Sequence, residues 1–379
     1  MEQTLSSFSW LNSTRVTFGA GTLASLAAVV NDTVGSGARV FLVTGRSSLR
    51  AQGLLQPIVD SLGPDRVTLF DKVTPFPSPD LVDVALKECR AASADVVVAI
   101  GGGSPLDLAK AVAILMTHDG TAREYASGQK RIERAGLPFV AVPTTSGSSS
   151  EVTQFAAMWD MDAKRVFALG SPLMFPTAAI VDPNLTLSMP RSLAAAAGMD
   201  AFTSVFESYW SVNAQPIADA LNLEVIRLFA ANLERSCNEG DLESRSACAL
   251  AATIAGIAYC NCVPNVCHAV GGPLTIFWGV EHGQAGCISL PAFLRWNADA
   301  ISHKLPALWE ALGVTGLDEA TARITQIMES CGLETRLSNL GVGAADVDTV
   351  LEHMRWDRVG VLRRTLERED ARAIVEAMM

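Results

Sequence analysis

Asp95 to Lys110 reads DVVVAIGGGSPLDLAK, a short apolar strand that runs into three consecutive glycines and then into a helix. Residues without a Cβ let the backbone turn sharply and bring its N–H groups against an anion, and a helix opening near Ser104 adds the positive end of its dipole. The chemistry this offers is phosphate binding, with Gly101, Gly102, Gly103 and Ser104 as the cradle. A tight turn serving only to connect two elements is the competing reading. A second loop, Pro143 to Thr153 (PTTSGSSSEVT), also follows a strand; it is built of small hydroxyl residues and contains Glu151, which reads as buried.

Both loops need a sheet to hold them. Apolar β-branched runs at Val40 to Val43, Val96 to Ile100, Phe139 to Val142 and Ala178 to Val181 alternate with helical stretches such as Leu81 to Ala92, which predicts a mostly parallel sheet covered by helices. After Pro190 the composition shifts to Ala, Leu and Glu, and helical periodicity runs through Arg191 to Trp210, Pro216 to Leu233 and Ser244 to Tyr259. The expected fold is an α/β N-terminal dinucleotide-binding domain (1–188) with a parallel sheet, followed by an all-α C-terminal domain (189–379), the boundary lying in the proline-bearing turn VDPNLTLSMP.

Bulk properties narrow the partners. The 379 residues exceed the usual size of one core. A net charge of −11 without a basic stripe speaks against nucleic acid but not against a small anion held locally. The stretch Ser246 to Val280 lacks formal charge, yet its continuous apolar part, Ala247 to Cys260, is too short for a bilayer and reads as a buried core helix, so no membrane association is expected. The opening MEQTLSSFSWLNSTRV has neither a basic nor an apolar signal region, which makes the cytoplasm the expected location. The eight cysteines, irregularly spaced and without a CxxC pair, read as reduced and mostly buried.

Together with TFGAGTL (Thr17 to Leu23), VDPNLTLSMP, GMDAFTS (Gly198 to Ser204) and EHGQA (Glu281 to Ala285), the two loops make the chain resemble the iron-containing (group III) alcohol dehydrogenase family over nearly its whole length. ESYWSVNAQP and HAVGGPLTIFWGVEHG look most like the branch that contains phosphonoacetaldehyde reductases. The resemblance implies a nucleotide held by Gly101 to Ser104, with Asp107 bracing that loop and Thr144, Thr145 and Ser148 facing the ligand; Lys110 is either part of this site or a surface residue. Where the family usually has glycine this chain has Ser149, which narrows the turn's options. At the strand end LVTGRSS, Gly45 stands where NAD-preferring members tend to place an aspartate. Followed by Arg46 and Ser47, it leaves room and donors for a 2′-phosphate, which favours NADP over NAD.

The resemblance also implies a divalent metal, Fe2+ or Zn2+, on an aspartate, a histidine one helical turn later and two further histidines. The matching positions are Asp200, Ser204, His268 and His282, so the first histidine is missing. One carboxylate and two imidazoles still make a workable site, with Ser204 placed to bond a metal-bound water and Cys260, Cys262 or Cys267 as conceivable soft replacements. His118, His303 and His353 lie in polar contexts and are expected at the surface. The implied activity is NAD(P)H-dependent reduction of a small aldehyde to an alcohol by a homodimer, the metal polarising the carbonyl and protons arriving through water or the cofactor ribose. If the aldehyde is phosphonoacetaldehyde, a cation must meet the phosphonate, with Arg165 and Arg295 as candidates. Two alternatives remain: a dehydroquinate-synthase-like cyclase, disfavoured by the thin set of basic residues, and a non-redox nucleotide-binding homologue whose lesion is Ser204.

Overall fold

The computed structural model describes residues 7–379, so the first six residues of the opening segment read above for a signal lie outside it. Six strands, β1 (Arg15–Phe18), β2 (Val40–Gly45), β3 (Val67–Val73), β4 (Val96–Gly101), β5 (Phe139–Pro143) and β8 (Ala178–Val181), form one parallel sheet in the order β1-β8-β5-β4-β2-β3. Between β5 and β8 the chain makes a separate antiparallel hairpin, β6 (Phe155–Asp160) and β7 (Arg165–Gly170). The central strands are almost continuously apolar, Thr44 of β2 being the polar exception, because both faces are covered. Phe41, Val43, Val97, Ala99 and Ala141 pack into one apolar cluster, while Val40, Leu42, Val96, Val98 and Val140 pack into another on the opposite face.

Strand order fixes where a ligand can sit. From β2 the chain runs outward to β3, then returns past β2 to β4, so the connections after β2 and β4 leave in opposite directions and open a crevice at their carboxyl ends. Gly45 and Arg46 end one side of that crevice and Gly101 to Ser104 the other. β4 and β5 pair with Gly101 opposite Pro143, which sets the two loops side by side.

Among the described residues beyond 189 the chain is helical apart from one isolated bridge, Ser211 with Leu362. With α1 (Pro79–Ala91) and α2 (Gly103–Leu115) flanking the sheet, the helices that matter for the site are α3 (Arg191–Trp210), α4 (Pro216–Asn238), α5 (Leu242–Tyr259), α6 (Val266–Trp278) and α7 (His282–Cys287). α3 is buried on nearly every side from Ala194 to Trp210, and the apolar cluster around it draws on residues from Met189 to Met378. The uncharged stretch beginning at Ser246 is divided between α5 and α6, and no helix among the described residues is long and apolar enough to cross a membrane. All eight cysteines are free and buried.

Candidate metal centre

α2 begins at Gly103, its amide groups open at the crevice, with Gly102 in extended geometry before it. Gly103 is required by close approach: a Cβ there would stand 2.8 Å from the Cβ of Ser148 in the second loop. Asp107 braces the second loop and β6 rather than the glycine loop itself, its carboxylate accepting from Ser150 Oγ (2.6 Å) and from the Ala157 N–H (2.8 Å). Lys110 is not a surface residue. It is 1% exposed, and all three of its protons are used, on Ser150 Oγ (2.9 Å), Thr153 Oγ1 (3.3 Å) and the Phe155 carbonyl (2.6 Å). Burial pushes its pKa down to about 8 against the pull of Asp107 and Glu151. Its role is to tie α2 to the second loop.

Ser149 resolves the question of the missing glycine. It takes the left-handed conformation (φ 54°, ψ 21°) that glycine would adopt freely. Its hydroxyl donates towards the carbonyls of Gly147 (3.0 Å) and Ala252 (2.5 Å), the second of these on α5. Tyr259 Oη donates to the Ser148 carbonyl (2.6 Å) and Thr253 Oγ1 to buried Glu151 (3.0 Å). Through these bonds α5 holds the second loop from the far side. Thr144, Thr145 and Ser148 stand at the crevice on this braced segment, and Arg46 is exposed at the end of β2.

Asp200 lies near the middle of α3, and the fold brings His268 from the first turn of α6 and His282 from the start of α7 to meet it. One ligand atom from each lies within 4.8 Å of the others. His268 Nε2 is 3.1 Å from Asp200 Oδ1, and His282 Nε2 is 4.0 Å from the same oxygen. α7 can come this close because Gly283 has no side chain; a Cβ there would lie 1.9 Å from the Ala196 carbonyl oxygen of α3. Glu281 caps the helix, accepting from the Gly283 N–H at 2.9 Å, and the ring of Trp159 meets His282 edge-on, with centroids 5.4 Å apart.

Glu207 is the site residue that the sequence reading missed. It lies seven positions after Asp200, two helical turns along the same face of α3, and is fully buried. One carboxylate oxygen bonds His268 Nδ1, while the other accepts from the backbone N–H groups of Cys267 (2.5 Å) and His268 (3.2 Å). This turns His268 Nε2 towards Asp200 and makes that imidazole a better donor. A carboxylate inside an otherwise apolar helical face, in register with a candidate ligand, was the available signal.

The donor set fits a divalent ion. It is one carboxylate and two imidazoles, two of the three less than a fifth exposed at the side chain, at spacings that bonds of about 2.1 Å can span with small rotations. Without an ion the electrostatics are self-balanced. Burial opposes charge on His268, but Glu207 and Asp200 outweigh it and lift its pKa to about 9; burial, with the charge of His268 adding to it, holds His282 below the usual imidazole range. Asp200 stays below the usual carboxylate range because both histidines overcome the cost of its burial. An incoming cation therefore replaces a proton on His268.

Other candidates fall away. Cys260, Cys262 and Cys267 are absent from the cluster, and burial pushes all three thiols up. His118 is a correction: it is buried, its Nδ1 on the Ile114 carbonyl (2.9 Å) and its Nε2 accepting from the Glu133 N–H (3.2 Å), whereas His303 and His353 are exposed as expected. Arg165 lies over the Phe167 ring, and Arg295 pairs with exposed Asp318 at 2.7 Å.

Ser204 is buried one turn from Asp200, and its hydroxyl makes no hydrogen bond among the described residues. Ser204→His should therefore break no side-chain hydrogen bond and, at some packing cost, add a fourth donor, raising metal affinity by about tenfold or more. Competition with a chelator checks this.

Two family models match the chain: "Iron-containing alcohol dehydrogenase" over residues 13–183 and "Fe-containing alcohol dehydrogenase family, C-terminal" over residues 194–379. The chain is 35% identical over 295 residues to 1,3-propanediol dehydrogenase of Klebsiella pneumoniae, covering 76% of each. It is 33% identical over 325 residues to 4-hydroxybutyrate dehydrogenase of Cupriavidus necator, covering 83% of this chain and 85% of the other. Among solved structures, sulfoacetaldehyde reductase from Bifidobacterium kashiwanohense in complex with NAD+ superposes with a TM-score of 0.91 at 25% identity, over 98% of this chain and 99% of that one.

Proposed function

The chain belongs to the iron-containing alcohol dehydrogenase family, and from that membership we propose that it reduces a small aldehyde to its alcohol at the site formed by Asp200, His268 and His282. Aldehyde, NAD(P)H and a proton give alcohol and NAD(P)+. The observation that carries this reading is the convergence of the three side chains within 4.8 Å, with His268 locked from behind by Glu207. When bound, Fe2+ or Zn2+ supplies Lewis acidity and the nicotinamide supplies the hydride. The chain's own residues do the positioning. Asp200, His268 and His282 hold the ion, and Gly101, Gly102, Gly103 and Ser104 cradle the pyrophosphate at the start of α2. Thr144, Thr145 and Ser148 border the nucleotide, and Trp159 shields one edge of His282.

We assign residues 1–188 to nucleotide binding and 189–379 to metal and substrate binding, a division supported by the separate apolar clusters and the two matched ranges. A homodimer belongs to the same reading. Phosphonoacetaldehyde is the favoured substrate, supported by the likeness to a reductase named for sulfoacetaldehyde, another short aldehyde bearing an oxyanion. The non-redox alternative rests on Ser204 alone, and the intact convergence of the other three donors counts against it.

NADP is the favoured cofactor. A Cβ at Gly45 would meet nothing within 4 Å, so the absence of a carboxylate there is a chemical choice rather than a steric one. Gly45→Asp should move the NADPH-to-NADH ratio of kcat/KM at least about tenfold towards NADH, through repulsion of the 2′-phosphate.

The function is tested on protein purified without oxygen, following oxidation of NADPH and NADH with phosphonoacetaldehyde, propanal and butanal. Turnover of at least one aldehyde is expected. No turnover after loading with iron(II) or zinc would reject the proposal.

A further inference from the structure

We infer that Phe76 and Trp159 form an aromatic wall of the substrate pocket and set its size limit, admitting short aldehydes unbranched beside the carbonyl and rejecting bulkier ones. The inference rests on the reductase reading above and names the substrate class for the same site.

Trp159 stands on β6 with 5% of its surface exposed, yet it belongs to none of the three apolar clusters, and neither does Phe76. The two rings pack instead on each other and on the metal site. Trp159 meets Phe76 with ring centroids 4.8 Å apart (64°) and His282 with centroids 5.4 Å apart (80°), edge-on in both cases. Phe76 sits in the connection from β3 to α1, between Pro75 and Pro77, with φ at 59°. A bulky residue before proline favours extended backbone, so this left-handed position is strained and persists because its surroundings hold it. The Phe76 N–H donates to Ser104 Oγ in the glycine loop (3.3 Å), and the Pro77 carbonyl accepts from the Trp159 N–H (2.9 Å).

These contacts run in a line from the glycine loop to the metal ligands: Ser104, Phe76, Trp159, His282. On the reductase reading the pyrophosphate lies at one end and the ion at the other, so the nicotinamide and the aldehyde carbonyl must meet alongside that line. His282 is also the most open of the three donors, its side chain 32% exposed against 17% for Asp200 and 7% for His268, so the site opens on the flank that Trp159 borders. Rings there take up the space that a substituent next to the carbonyl would need. The wall is held firmly on both sides. β6 is tied to α2 through the Ala157 N–H on Asp107 (2.8 Å) and the Phe155 carbonyl on Lys110 (2.6 Å), and the two prolines stiffen the segment that carries Phe76. A pocket with fixed apolar walls discriminates by volume.

The test compares wild type, Trp159→Ala and Phe76→Gly as metal-loaded enzymes with propanal and 2-ethylbutanal. The ratio of kcat/KM for the branched over the straight aldehyde should rise at least about tenfold in each variant. Glycine adopts the backbone of position 76 freely, so Phe76→Gly should keep its Tm, and it decides alone if Trp159→Ala does not fold. A ratio unchanged within about threefold, or equal losses on both aldehydes, would mean that the rings only fill space and would overturn the assignment. Binding is read separately, by calorimetric titration of the NADPH-bound protein with propanamide and 2-ethylbutanamide, unreactive counterparts of the two aldehydes. If the wild type reduces neither aldehyde, the reductase reading itself has failed. The amides then decide for the wall: tighter binding of 2-ethylbutanamide by the variants supports it, and unchanged binding removes it.

Discussion

His268→Ala should strip the site of its ion and lower aldehyde reduction by about a thousandfold or more while the chain remains folded. Of the three converging side chains, His268 has the most partners. It meets Asp200 through Nε2 at 3.1 Å and Glu207 through Nδ1, and it is 8% exposed. Its removal leaves two donors for the metal and two buried carboxylates, Asp200 and Glu207, without their shared cation, so retention of the ion is lost before any effect on orientation is felt. Glu207→Gln should be milder, a loss of about 10- to 100-fold in metal affinity, because the ligand set survives and only its alignment and basicity change. Elemental analysis beside initial rates measures both variants. Metal retained by His268→Ala at wild-type affinity would mean that the ion binds elsewhere.

Gly283→Ala should cost about 10²-fold in activity together with a clear fall in Tm. The new Cβ would lie 1.9 Å from the Ala196 carbonyl oxygen, and that atom belongs to the backbone of buried α3, so no side-chain rotation relieves the clash. α7 must move away by more than an ångström, and His282, its first residue, moves with it. The distance from His282 Nε2 to Asp200 Oδ1 is already 4.0 Å, longer than the 3.1 Å for His268, so this ligand has the least reach to spare. Metal content should fall in parallel with activity. Normal metal content with lost activity would point instead to a displaced substrate pocket.

The parts of the fold that were legible in the sequence are those whose burial is complete. β2, β4, β5 and β8 read as continuous apolar runs because both of their faces are covered, and the span of α3 was predictable to the residue. β1, β3 and the β6–β7 hairpin were not predicted. β1 has only four residues at a sheet edge, and β3 (VTLFDKV) interleaves polar and apolar side chains at the other edge, so neither carries a strong apolar signal. The glycine loop was legible because its signature is local: glycines, a strand before and a helix after. The proposed metal ligands were reached only through resemblance, since Asp200, His268 and His282 are far apart in the chain and nothing local sets their meeting. His118 was misjudged, and Lys110 was left open, for a related reason. Each looks hydrophilic in its segment, but the acceptors that satisfy Lys110 lie 40 or more residues away, and the Glu133 N–H that satisfies His118 Nε2 arrives only once the loop after α2 has folded.

The central claim is that three protein donors, without the missing histidine at Ser204, hold one working metal ion. The direct measurement is a titration of chelator-treated protein with iron(II) or zinc under anaerobic conditions, with aldehyde-dependent NADPH oxidation followed in the same cuvette. Activity rising in proportion to added ion and levelling at about one per chain is the predicted result. Full activity in the presence of chelator, or one ion bound per chain with no turnover of any aldehyde, would contradict it.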